Sequence, residues 1–128
     1  MRKETENWWK QALSDFHKAE VLYKSNDYDG VAFYCQQTVE KSLKALYITK
    51  FKKNPAKVHD LTLLCDYVEK VPEKVRKAGE KLTPSYIFAR YPDASHKIPA
   101  EFYSREQVSQ FLKLAEEVLQ WIEKELKL

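Results

Sequence analysis

Glycine is scarce in this chain, two in 128 residues, which leaves little material for the tight turns that join strands of a β-sheet. Cysteine is as sparse. Cys35 and Cys65 stand on the apolar sides of predicted helices with no further cysteine beside them, so they are expected to be reduced core thiols and not metal ligands. No apolar run approaches the ~20 residues that cross a bilayer. The N-terminal Met1-Arg2-Lys3-Glu4-Thr5-Glu6 is charged in both signs and has no apolar leader core, so a cytoplasmic protein with no membrane association is expected. Also missing are a P-loop, a dinucleotide-binding glycine pattern, a Gly-x-Ser-x-Gly elbow, a zincin histidine pair and a paired-carboxylate signature. Most enzyme classes drop out with them, and nothing calls for a cofactor or a metal.

What is present describes a globular helical protein. Hydrophobic residues make up 44% and charged residues 32%, a balance far from that of a disordered chain. A chain of this length suits a single domain, residues 1–128, able to bury well over half of the surface it exposes when unfolded. The first helix is expected from about Thr5 to Lys24, with Trp9, Ala12, Phe16, Ala19 and Tyr23 on one face. Ser25-Asn26-Asp27 supplies acceptors that would cap a second helix, about Tyr28 to Phe51. Ala32, Cys35, Val39, Leu43 and Leu46 recur along it every three to four residues, the spacing of a buried helical face. Asp60 reads as the N-cap of a third helix carrying Leu61, Leu64, Cys65 and Val68. That member is broken, because Pro72-Glu73 and Thr83-Pro84 each suit a new start. From Tyr91 to Tyr103, Pro92 and Pro99 are expected to interrupt any helix and leave a long loop. Ser104-Arg105-Glu106-Gln107 then resembles a capping box, followed by an inward face of Val108, Phe111, Leu112, Ala115, Val118, Leu119, Ile122 and Leu126. The expected fold is all-α: an up-and-down bundle of four main helices, the third broken, with a proline-bearing loop before the last.

Three tryptophans, eight tyrosines and six phenylalanines exceed what such a core holds, so some lie at a surface and a homodimer is expected. Charge is also uneven. Lys41, Lys44, Lys50, Lys52, Lys53 and Lys57 occur with no acidic residue from 41 to 59, a run that can contact phosphate or complement a helix C-terminus. The dipole reading suits most of them.

The second helix also carries Gln37, Glu40, Lys41 and Lys44 in one polar stripe. Taken alone, Glu40 and Lys44 form an ordinary i,i+4 ion pair on a solvated face. As a pattern, Gln36-Gln37-x-x-Glu40-Lys41-x-Leu43-Lys44-Ala45-Leu46 resembles the second-helix signature of the HEPN domain family. His59-Asp60-Leu61 and Tyr86-x3-Arg90-Tyr91-Pro92-Asp93 are similar to two further marks of that family, in the same order. The resemblance implies a small, dimeric, nucleotide- or RNA-directed module, often the partner of a minimal nucleotidyltransferase in a toxin–antitoxin pair. Gln37, Glu40, Lys41, Lys44, Arg90 and Tyr91 are the candidate ligand-binding residues.

It implies an alternative as well. HEPN ribonucleases carry an arginine and a histidine with four to six residues between them and cut RNA without a metal, and Arg90 and His96, with five between, match that spacing. The histidine would move a proton at a ribose hydroxyl while the arginine holds the phosphate. Tyr91-Pro92 departs from the small polar residue that usually follows the arginine, and His96 falls before the Ser104 cap. Arg90 could equally be structural, its stem on Tyr86 and its head on Glu40. A purely structural dimer is the third reading.

Overall fold

Two long amphipathic helices form the frame. In the computed structural model, which describes residues Met1–Leu128, α1 spans Lys3–Lys24 and α2 spans Tyr28–Phe51. They are antiparallel: Thr49 Oγ1 donates to Thr5 Oγ1 at 3.3 Å near one end, and Lys41 Nζ reaches Asp15 Oδ2 at 2.5 Å near the middle. The reversal at 25–27 differs from expectation. Asp27 makes no side-chain bond to the amides of α2. The segment terminates α1 instead, with Asn26 in left-handed conformation (φ 64°), its amide donating to Tyr23 O and the Asp27 amide to Leu22 O, the Schellman arrangement. Ser25 Oγ also turns back to Val21 O and Leu22 O. Gly30 permits close approach here, since a Cβ on it would lie 2.6 Å from Leu22 Cδ1.

The broken third member is a pair of helices, α3 (Leu61–Val68) and α4 (Glu73–Leu82), folded back on each other through Glu69 and Lys70, both at positive φ. Gly79 of α4 sits against Leu61 of α3, where an added Cβ would come within 3.1 Å of the Leu61 Cβ. Asp66 and Arg76 bridge the hairpin lower down. Lys50 Nζ donates to Val68 O and Glu69 O, closing the end of α3 from the side of α2. Thr83 does not cap its own helix as its sequence suggests; its Oγ1 accepts from the Leu61 amide across the hairpin.

The stretch before the last helix corrects the expectation of a long loop. Three one-turn helices follow one another, α5 (Ser85–Phe88), α6 (Pro92–Ser95) and α7 (Pro99–Phe102). Pro92 and Pro99 open α6 and α7, at the first helical position, where the missing N–H has no intrahelical acceptor to lose. Then α8 spans Arg105–Glu125, and Ser104 Oγ accepts from the Gln107 amide at 3.1 Å.

The core lies around α2, which packs against α1, α3, α4, α5, α7 and α8. Its Ala32, Cys35, Val39, Leu43 and Leu46 are buried with Val108, Phe111, Ala115, Val118, Leu119 and Ile122 of α8. Each large apolar side chain so placed contributes about 1.5–3 kcal/mol of burial. No helix is long and apolar enough to cross a membrane.

Asp60 caps α3 as read from the sequence, accepting from the Thr62 and Leu63 amides. The Thr62 hydroxyl, helped by those two amides, outweighs partial burial and holds the Asp60 carboxyl below the ordinary aspartate value. A lowered folded-state pKa means stability that is complete above the unfolded value and lost as pH falls through the folded one. Asp60→Ala is therefore expected to lower stability by about 1 kcal/mol at neutral pH. The gap should close as pH drops below about 3.9. Urea melts of both proteins at neutral and acid pH check this, and a gap that persists in acid would rule out the charged cap as its source.

Candidate functional site

The polar stripe of α2 is not solvated. Glu40 and Lys44 are only 3% and 4% exposed, because Trp8 of α1 covers one side and the lead-in to α3 covers the other. Lys44 Nζ lies 3.0 Å from Glu40 Oε2 and 5.4 Å from the Trp8 ring centroid. Glu40 Oε1 takes His59 Nδ1 at 2.9 Å and Gln36 Nε2 at 3.3 Å. Gln36 is fully buried; it also donates to His59 O at 2.9 Å and accepts from Gln37 Nε2 at 2.7 Å. No buried side-chain nitrogen or oxygen in the protein lacks a partner, the condition under which a buried ionic network rigidifies its surroundings.

From this network an aromatic stack leads to the surface. The His59 ring, held by Glu40, lies parallel to Tyr86 of α5, with centroids 3.9 Å apart at 12°. The Arg90 guanidinium sits 4.3 Å from the Tyr86 centroid, 5.0 Å from that of Phe33 and 5.1 Å from that of Tyr91. His59 and Arg90 thus both pack on the Tyr86 ring. Arg90 Nε donates to Tyr86 O at 2.8 Å. Arg90 therefore does pack on Tyr86, but the expected tie to Glu40 is absent. His59 occupies that place, since α5 is a single turn and the arginine folds back onto the Tyr86 carbonyl and the neighbouring rings.

The candidate residues divide accordingly. Arg90 and Tyr91 are exposed and adjacent, the arginine with both Nη atoms free of protein partners. Glu40 and Lys44 face inward, Gln37 is half-buried on Gln36, and Lys41 is bound to the buried Asp15. His96 ends α6 in left-handed conformation (φ 60°) and lies on the surface in a shallow depression with Pro92, Asp93, Lys97 and Ile98. No hydrogen bond joins it to Arg90. No three His, Cys, Asp or Glu side chains converge as a metal site requires.

His59, which the sequence marks only as part of the His59-Asp60-Leu61 step and not as a site residue, is the joint between the buried network and the aromatic stack. The signal was there in part. Gln36 and Glu40 stand four apart on one helix face, and both need partners once that face is buried.

Chemically, the exposed end of this arrangement is a fork of N–H donors held flat among rings. Of the five guanidinium N–H groups only the Nε–H is engaged, which leaves a bidentate edge suited to a phosphate or carboxylate. Tyr91, 47% exposed, offers a ring face beside it.

A family model described as HEPN domain matches residues 5–126. A protein of Methanocaldococcus jannaschii that bears the name "Putative toxin" is 30% identical over 130 residues, covering 92% of this chain and 85% of that protein. The crystal structure of a Thermus thermophilus protein matches with a TM-score of 0.89 at 29% identity, covering 97% of this chain and 99% of that one. That of an archaeal HEPN homologue matches at 0.82 and 25% identity, covering 96% and 98%. The residues that resemble the family's marks, from Gln36 and Glu40 through His59 to Tyr86 and Arg90, meet in one network, and with the family model spanning almost every residue the chain belongs to the HEPN domain family.

Proposed function

We propose that this protein is the HEPN half of a toxin–antitoxin pair, a cytoplasmic homodimer that binds RNA or nucleotide phosphate through Arg90 and is partnered by a minimal nucleotidyltransferase. The observation that carries the binding reading is the Arg90 guanidinium, exposed, fixed through Nε on Tyr86 O and framed by the rings of Phe33, Tyr86 and Tyr91. The aromatic frame lowers the conformational freedom the side chain would lose on binding, and it presents a planar fork in place of a mobile charge. Tyr91 supplies a surface on which a base can stack. The toxin assignment is supported by the relative in M. jannaschii.

Anisotropy titrations of a short labelled single-stranded RNA test the site. Arg90→Ala is expected to weaken binding about 10- to 100-fold, the scale of ~1.5–3 kcal/mol for hydrogen bonds to a charged group. Arg90→Lys should fall between, because an ammonium keeps the charge and loses the fork. Equal affinity for wild type and Arg90→Ala would remove Arg90 from the site. The same RNA, incubated in chelator with wild type and His96→Ala, addresses the ribonuclease reading. Cleavage by wild type that His96→Ala abolishes would replace binding by catalysis at Arg90 and His96.

A further inference from the structure

We propose a second phosphate-binding site at the other end of the bundle, in the cleft where the start of α1 meets the end of α2. The cleft has a volume of about 360 Å³ and is lined by Arg2, Glu4, Ile48, Lys52, Lys53 and Asn54. Three cations thus face one carboxylate, over a floor formed by the nearly buried Ile48.

The basic run of α2 explains why these lysines stand apart. Its members divide by what they touch. Lys41 is bound to Asp15, Lys44 to Glu40, and Lys50 to the last carbonyls of α3. Each of those three has a structural task. Lys52 ends α2 in left-handed conformation (φ 57°) and places one bond on Thr49 O, which leaves two of its three N–H donors for a ligand. Lys53 and Arg2 have no side-chain partner within the protein. The carboxylates of α8 at Glu116, Glu117, Glu123 and Glu125 face water and repel a polyanion there, so the cleft is favoured over that surface.

Nineteen residues of α2 separate Phe33, beside Arg90, from Lys52, about 28 Å at ~1.5 Å per residue. One phosphate cannot reach both places. An extended RNA backbone that continues from Arg90 along the bundle can, and a free polyphosphate can occupy the cleft by itself. The cleft stands independently of the Arg90 reading, since none of its residues touches the aromatic stack.

The test uses the full chain, a labelled single-stranded uridine oligonucleotide as probe and inorganic tripolyphosphate as competitor. Lys52→Ser/Lys53→Ser and, separately, Arg2→Ser are compared with Lys113→Ser, a loss of charge on α8, and with Arg90→Ala. Thermal melts confirm that each variant is folded. For single strands the log–log salt slope falls by about 0.7 for each cation removed from phosphate contact. The double variant is therefore expected to flatten the slope by about 1.4, Arg2→Ser by about 0.7, and Lys113→Ser to leave it unchanged. Unchanged slopes in the double variant and Arg2→Ser, or an equal effect of Lys113→Ser, would overturn the proposal. Should Arg90→Ala weaken binding while the cleft variants do not, this inference fails and the Arg90 site stands; the reverse pattern sinks the Arg90 site alone. Tripolyphosphate that displaces the oligonucleotide at equal charge concentration identifies a free phosphate ligand. RNA that resists such competition identifies a nucleic-acid backbone.

Discussion

Glu40→Ala is expected to lower folding stability by about 3–5 kcal/mol, the range for removing one member of a buried ion pair. Glu20→Ala, on the exposed face of α1, should change it by no more than about 0.5 kcal/mol. The difference lies in what each carboxylate leaves behind. Without Glu40, the Lys44 ammonium stays covered by Trp8 with no counter-charge, His59 Nδ1 loses its partner, and Gln36 loses one of two acceptors. A loss of this size is about a fifth or more of the stability of a typical small protein. Denaturant unfolding of the three proteins measures it, and matching midpoints for Glu40→Ala and Glu20→Ala would mean that the network contributes nothing to the fold.

A paired substitution separates the charge from the packing. Glu40→Leu with Lys44→Met replaces both ions by apolar groups, and such replacements are often neutral or stabilising when volume is kept. The double variant should therefore recover most of the loss seen in Glu40→Leu alone, a non-additivity of at least about 1 kcal/mol. It also removes the acceptor that orients His59. Stability and the position of the aromatic stack would then part company, with the RNA binding proposed for Arg90 reduced in a protein of near wild-type stability.

The sequence made the four main members readable because each buries one face against a common core, and a single face repeats at helical spacing. Asp60 and Ser104 were equally plain, since an N-cap acts within three residues of itself. The misread segments share a different cause. Ser25-Asn26-Asp27 has side chains suited to starting a helix, yet the backbone uses Asn26 to finish the one before; both uses favour the same residue types. Pro92 and Pro99 read as breakers because proline excludes itself from a helix interior, but at a first position the exclusion does not apply. The polar stripe was ambiguous for a third reason. Glu40 and Lys44 at i and i+4 look alike whether water or protein lies above them, and what covers them here is Trp8 from one helix and His59 stacked on Tyr86 from another. Partners that distant in the chain leave no periodic trace. Arg90 shows the same limit, for the motif places it near the second helix without saying whether it meets the carboxylate of Glu40 or the ring of Tyr86.

Tyr103→Ala should be the other large effect, about 3–5 kcal/mol, the usual scale for truncating a buried aromatic ring. Tyr103 is 6% exposed; its ring meets Phe102 edge-on at 4.9 Å and Phe111 of α8 at 6.2 Å, and its hydroxyl bonds Ser85 Oγ at 2.9 Å. It thereby fastens the chain of one-turn helices at both ends, to α8 by packing and to the start of α5 by the hydrogen bond. A four-residue helix has too few internal bonds to persist alone, so α5 depends on this attachment, and α5 carries Tyr86. Tyr103→Phe keeps the ring and removes only the bond, a loss of about 1 kcal/mol. The phenol adds a pH signature. Burial pushes its pKa up, more than the Ser85 bond lowers it, so its contribution is complete below the ordinary tyrosine value near 10 and fades as pH rises toward the folded one. Wild type should therefore lose stability in alkali relative to Tyr103→Phe. Hydrogen exchange distinguishes local from global consequences: in Tyr103→Ala the amides of 86–91 are expected to exchange faster than those of the α2 core by more than the drop in overall stability explains. Uniform acceleration across the chain would instead make Tyr103 an ordinary core residue with no particular hold on the Tyr86 and Arg90 stack.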